Sequence, residues 1–102
     1  MPTREQPDTR SPIENRWRRT HRDYDKAVVR QHRLLAELET AELRLRNTSP
    51  DDVWAWDEAS ADVSELTTDN RKAKQVVKSA RRALNRVERV MDDKRFVEDF
   101  GR

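Results

Sequence analysis

The residues able to do chemistry are few, and their spacing limits them. His21 and His32 are the only imidazoles, and the chain has no cysteine. On a helix the two histidines stand about 16 Å apart at ~1.5 Å per residue, too far to share one zinc ion. The missing cysteines exclude a disulfide scaffold, a zinc ribbon and thiol chemistry, and they fit a reducing compartment. The carboxylates Asp51, Asp52, Asp57, Glu58, Asp62 and Glu65 are dense enough to raise acid–base or metal chemistry. Such chemistry needs a shielded pocket that drives pKa values apart. A chain of 102 residues, 41% charged and 33% hydrophobic, is ill suited to enclosing one. The single glycine excludes a phosphate-cradling loop, which needs several positions with free backbone angles. No catalytic residue, metal ligand or cofactor site is assigned, and a non-enzymatic protein is expected.

What remains is recognition chemistry. Arg16, Trp17, Arg18, Arg19 and Arg22 combine cations with an aromatic ring, as phosphate contacts and base stacking require. Lys74, Lys78, Arg81 and Arg82 add cations from the second half of the chain. Against a nucleic-acid site, Asp23 and Asp25 interrupt the first cluster, and Trp17 falls where a core residue is expected. Trp54 and Trp56 are two positions apart and so point to different faces of a helix. Trp56 fits the core. Trp54 either wraps the turn over Leu43 or Leu45, or stands exposed as an aromatic anchor for a partner.

The elements that must position these groups are helices. Ser11-Pro12-Ile13-Glu14 is a helix start, with a serine cap, proline at the first helical position and an acid three residues on. Ser49-Pro50-Asp51-Asp52 repeats that grammar after the turn-forming Asn47-Thr48. Helices are therefore predicted at about 12–46 and 50–99, with Gly101 as the closing cap. The predicted core seam is Ile13, Trp17, Tyr24, Val28, Gln31, Leu35, Leu38, Glu42 and Leu45, then Trp56, Val63, Leu66, Asn70, Ala73, Val77, Ala80, Leu84, Val87 and Met91. From Val63 the steps alternate three and four, the repeat of a coiled coil. The fold class is all-α, a long antiparallel helical hairpin of coiled-coil type. Leu66-Thr67-Thr68-Asp69-Asn70 is the weak stretch, because Thr, Asp and Asn favour caps. A break near Thr68 would give a three-helix bundle instead. In the continuous helix Asn70 is a polar seam residue that fixes register. Residues 1–10, with two prolines and no apolar periodicity, read as a disordered tail, and 11–102 as one domain.

Charge is segregated along this hairpin. Residues 1–36 carry a net +4, 37–69 a net −8 and 70–95 a net +7, although the total is only +2. Folding back near residue 48 makes an acidic tip of Asp51, Asp52, Asp57, Glu58 and Asp62, and a basic open end. If facing positions sum to about 98, as a turn near residue 49 implies, the first helix runs out before the second. Val87, Val90, Met91, Phe96, Val97 and Phe100 are then left as an apolar overhang, expected with Trp54 to form a protein interface. The longest apolar run, Val53-Trp54-Ala55-Trp56, is far short of a membrane span or a signal-peptide core.

In length, and in having tryptophan near the turn, the chain resembles small secreted Trp-x-Gly helical hairpins. Trp54-Ala55-Trp56 and Trp56-Asp57-Glu58 lack that glycine, and Phe96-Val97-Glu98-Asp99-Phe100 lacks the Tyr-x-x-x-acid tail signal, so no family follows. The 17 arginines against 5 lysines mark a GC-rich genome, such as that of an actinobacterium or its phage. The expectation is a small interaction or assembly protein, a phage-encoded or bacterial accessory factor or structural subunit. It would act in the cytoplasm or in a viral particle assembled there. Its partner would be a second copy, as a homodimer or higher oligomer, or a different protein, with no membrane contact. A nucleic-acid-associated regulator using the basic end is the alternative.

Overall fold

A computed structural model describes residues 11–100, with side chains described through Lys94. Expectations placed on residues 1–10, on Gly101 and on the side chains of Phe96, Val97 and Phe100 lie outside the described residues. Two helices form the fold, α1 over Pro12–Arg46 and α2 over Val53–Phe100, packed against each other as an antiparallel hairpin.

The start of α1 follows from its sequence. Ser11 holds an extended backbone (φ −68°, ψ 156°), its hydroxyl accepts from the Glu14 amide at 3.2 Å, and Pro12 opens the helix. At the other end, Arg44 and Arg46 sit in the last turn, where the helix dipole favours cations.

The second start differs from the prediction. Ser49-Pro50-Asp51-Asp52 does not begin a helix at Pro50. It forms a tight turn in which the Asp52 amide donates to the Ser49 carbonyl at 3.1 Å and the Asp51 amide to the Ser49 hydroxyl at 3.2 Å. Proline suits the second position of such a turn as well as it suits a helix start. Asp52 is the cap instead: its Oδ1 accepts from the Ala55 amide at 3.2 Å, and its carbonyl from the Trp56 amide at 2.9 Å. The helix therefore opens at Val53.

α2 is unbroken across the weak stretch. The Thr67 hydroxyl donates to the Val63 carbonyl at 2.7 Å, and that of Thr68 to the Ser64 carbonyl at 3.1 Å. Folded back in this way, the threonines satisfy their hydroxyls inside the helix rather than capping a new one. The three-helix alternative is not supported.

The core is thin. Among the described residues Ala27, Ala59, Ala73, Leu84 and Val87 are buried apolar side chains, together with Asn70. Around them Trp17, Tyr24, Val28, Leu38, Leu45, Trp56, Val63, Leu66, Val77, Ala80 and Met91 are half-buried, as expected where two helices leave the sides of the seam open. Two predicted seam positions move. Leu34 and Ala41 are half-buried, whereas Leu35 and Glu42 are exposed. Both sets keep the three–four alternation, and the observed one keeps the Glu42 carboxylate in water.

Candidate protein-interaction surfaces

Register decides which side chains α1 covers. Trp17 Nε1 donates to Glu88 Oε2 at 3.2 Å, and Arg44 Nη1 donates to Asp62 Oδ2 at 3.0 Å. Facing positions of these long side chains thus sum to about 105, not about 98, because helical side chains lean toward their own N-terminus. On α1 that lean runs toward the open end. On α2 it runs toward the turn. Each α1 side chain therefore meets a residue farther along α2 than Cα positions alone imply.

The predicted overhang shrinks accordingly. Val87 is only 2% exposed within a single chain, so it is a core residue and not an uncovered one. Met91 is half-buried and lines a cleft with Trp17, Glu88 and Asp92. Val90 stays 48% exposed.

At the tip, Trp54 is 88% exposed. The alternative in which its ring wraps the turn is excluded, and Leu43 is itself 52% exposed. Asp51, Asp52, Asp57 and Glu58 are exposed beside it in sequence, and Asp62 is half-buried. Sequence reasoning missed Arg44 as a member of this tip. Its guanidinium reaches Asp62 at 3.0 Å and Glu58 at 3.6 Å, so part of the acidic charge is met within the chain. An (i, j) pair across a turn has no local spacing signal, unlike an (i, i+4) pair on one helix.

Toward the open end Arg16, Arg18, Arg19, Arg22, Arg81 and Arg82 are exposed, whereas Lys74 and Lys78, also exposed, lie at the middle of α2 and are not brought to that end. Asn15, Trp17, Arg18, Arg19, His21, Arg22 and Asp25 line one open concavity. Inside it the Trp17 and His21 rings pack tilted by 33° with centroids 4.9 Å apart, and His21 Nδ1 lies 3.3 Å from Asp25. The aromatic groups are thus already engaged by carboxylates of their own chain. Among the described residues no cluster of histidine and carboxylate groups could hold a metal ion. Nor is any helix long and apolar enough to cross a membrane.

One flank of the rod carries a heptad-spaced stripe. Asp62, Asp69, Val76, Ala83 and Val90 recur every seventh residue on α2 and so share a side. Opposite them on α1 are Arg30 and Arg44, two heptads apart. Ala27, Arg30, Asp69, Lys72, Ala73 and Val76 line a groove of about 140 Å³ between the helices. Val76 is 56% exposed in it. Near this level Asn70 is buried, and among the described residues its Oδ1 finds no hydrogen-bond partner. No family model, no curated protein and no solved structure matches this chain.

Proposed function

We propose that this chain is a non-enzymatic interaction and assembly protein, a helical rod whose acidic tip and basic open end are its working surfaces. One observation carries the reading: a chain of total charge +2 places a −8 block around the tip and basic blocks on both helices beyond it, that of α2 centred on Arg71, Lys72, Lys74, Lys78, Arg81 and Arg82 at mid-rod. Oppositely charged segments steer association and select its geometry. The thin core points the same way, since a small scaffold with few buried apolar residues gains most from covering its exposed ones. Trp54 supplies an aromatic anchor at the tip. A cytoplasmic accessory factor or a subunit of a phage particle fits this description.

The experiment is charge reversal read at two salt concentrations. Asp57, Glu58 and Asp62 are changed together to Lys, and mass in solution is measured alongside helicity. The expected result is an altered assembly state with helicity intact. Unchanged assembly at low salt sinks the proposal.

A second reading rests on the arginine-lined concavity beside Trp17, which presents cations to a nucleic-acid backbone. Its signature is affinity for nucleic acid that falls with salt, with a log–log slope of about −0.9 per phosphate contacted.

A further inference from the structure

We infer that the exposed side of α2 between Arg71 and Arg89 is a docking face for the phosphate backbone of a nucleic acid, lying along the shaft of the rod and not at its end. This goes beyond the assembly reading and does not depend on it.

The sequence concentrates the charge. Between Asp69 and Asp92 stand eight cations and one carboxylate, Glu88. Glu88 is engaged toward α1, where it accepts from Trp17 Nε1 at 3.2 Å. The helix then sorts the cations. Arg71, Lys74, Lys78, Arg82, Asn85 and Arg89 follow one another by three or four residues, so they share one side of α2. Arg71, Lys74 and Lys78 each stand one position after a seam residue, Asn70, Ala73 and Val77. Val76 and Val90 each stand one position before one, and so lie on the opposite flank.

The face is uniform and unpaired. All six residues are exposed, and none is apolar or acidic. Among the described residues the ion pairs are made by His21 and Arg44, and none reaches these five cations. The stripe is about 27 Å long at ~1.5 Å per residue. Duplex DNA presents one negative charge about every 1.7 Å of its axis, so an unbroken line of cations meets an unbroken line of phosphates. Arginine, lysine and asparagine all donate to phosphate and sugar oxygens.

Other anionic surfaces fit this face less well. A protein interface is anchored by buried aromatic or apolar side chains, and the stripe offers no apolar pocket for one. The acidic tip of another copy would bring Trp54 with nothing to cover it, and Arg44 already meets part of that tip's charge. A membrane surface calls for an apolar face beside the cations, which the stripe lacks. The concavity beside Trp17 is the poorer phosphate site, because Asp25 lines it.

The full-length protein is titrated against a fluorescein-labelled duplex DNA of about 20 base pairs, read by anisotropy between about 50 and 200 mM salt. Five phosphate contacts at about −0.9 each give a log–log slope of about −4.5, so affinity is expected to fall about 500-fold across that range. Lys74→Gln, Lys78→Gln and Arg82→Gln are combined and checked for helicity. Their slope is expected near −1.8, a fall of only about tenfold over the same range. Should the combination lose helicity, the three single variants are read instead, each expected to remove about 0.9 from the slope. Lys74→Arg, Lys78→Arg and Arg82→Lys together keep the charge and are expected to keep the wild-type slope. Arg16→Gln, Arg18→Gln and Arg19→Gln together, at the concavity, are expected to keep it too.

No binding to the duplex at the lowest salt overturns the proposal. So does a slope lost in the concavity variant and kept in the α2 variant. Polyglutamate that displaces the duplex as well as unlabelled DNA does would make the partner an acidic protein, and phosphatidylserine vesicles that do so would make it a membrane; either result overturns the proposal. The assembly reading is judged by another measurement, mass in solution after reversal of Asp57, Glu58 and Asp62, so each can fail while the other stands.

Discussion

Trp17 and Glu88, 71 residues apart in sequence, are joined by a 3.2 Å hydrogen bond from indole to carboxylate. This pair marks the register of the open end, which places Val87 under α1. A hydrogen bond to a carboxylate contributes about 1.5–3 kcal/mol where it is shielded from water, and exposure pulls this one far below that range. Glu88→Ala is expected to lower unfolding free energy by about 0.5 kcal/mol, measured by urea titration. The control is Glu65→Ala, an exposed glutamate on the same helix, expected to change stability less. Equal losses from the two variants would show that the indole contact adds nothing to stability.

Val87 and Val90 separate core from surface. Val87 is 2% exposed and Val90 is 48% exposed. Val87→Asp buries an unpaired carboxylate and is expected to cost on the order of 3 kcal/mol or more, with loss of helicity in the single chain. Val90→Asp is expected to stay within about 0.5 kcal/mol of wild type when both are measured as monomers. Comparable melting temperatures for the two variants at low protein concentration would return Val87 to the surface.

Asn70 is buried with its Oδ1 unpartnered among the described residues, which costs about 1–3 kcal/mol relative to a satisfied group. Asn70→Leu is therefore expected to raise the melting temperature. It is also expected to broaden the distribution of assemblies, because the polar constraint on register is gone. Thermal melts and sedimentation together check this. A destabilised variant would mean that the amide is satisfied in solution and that its burial is favourable.

Trp54 makes a spectroscopic prediction. At 88% exposure its ring is open to solvent, while Trp17 and Trp56 are half-buried. Trp54→Phe is expected to remove most of the iodide-quenchable fluorescence while leaving stability within about 0.5 kcal/mol. Quenching that survives the substitution would place the exposed tryptophan elsewhere.

Arg44 tests how far the tip is neutralised from within. Its bridges to Asp62 and Glu58 are largely exposed, so Arg44→Ala is expected to cost no more than about 1 kcal/mol. Its larger effect is on association, since the tip becomes more negative and attraction to a basic surface should rise at low salt. Weaker association in the variant would show that Arg44 itself makes the contact.

The hairpin was legible because its signals are local. Ser11-Pro12 starts a helix by cap chemistry that reads within four residues, and the three–four alternation from Val63 to Met91 survives in the structure intact. Ser49-Pro50 misleads because the same dipeptide serves a tight turn equally well. Nothing local distinguishes the two until Asp52 takes the cap. Leu34 and Leu35 are adjacent leucines, so apolar identity could not choose between them. The overhang is shorter than position sums imply, for a non-local reason. Position sums follow Cα atoms, whereas contacts are made by side-chain tips that lean in opposite senses on antiparallel helices. Arg44 at the tip was invisible for the same reason, since its partners come from the other helix.

The chain enters α1 and leaves α2 at the same end of the rod. That arrangement fixes how the molecule yields to force. Tension applied across the two ends opens the seam like a zipper, one layer after another, beginning at the layer of Trp17 and Glu88 and finishing at the turn. The same helices pulled from the tip of one and the open end of the other would slide in shear and resist with every layer at once. A load on both ends is therefore borne at each moment by a single layer, and Asn70 marks a soft step midway along the path.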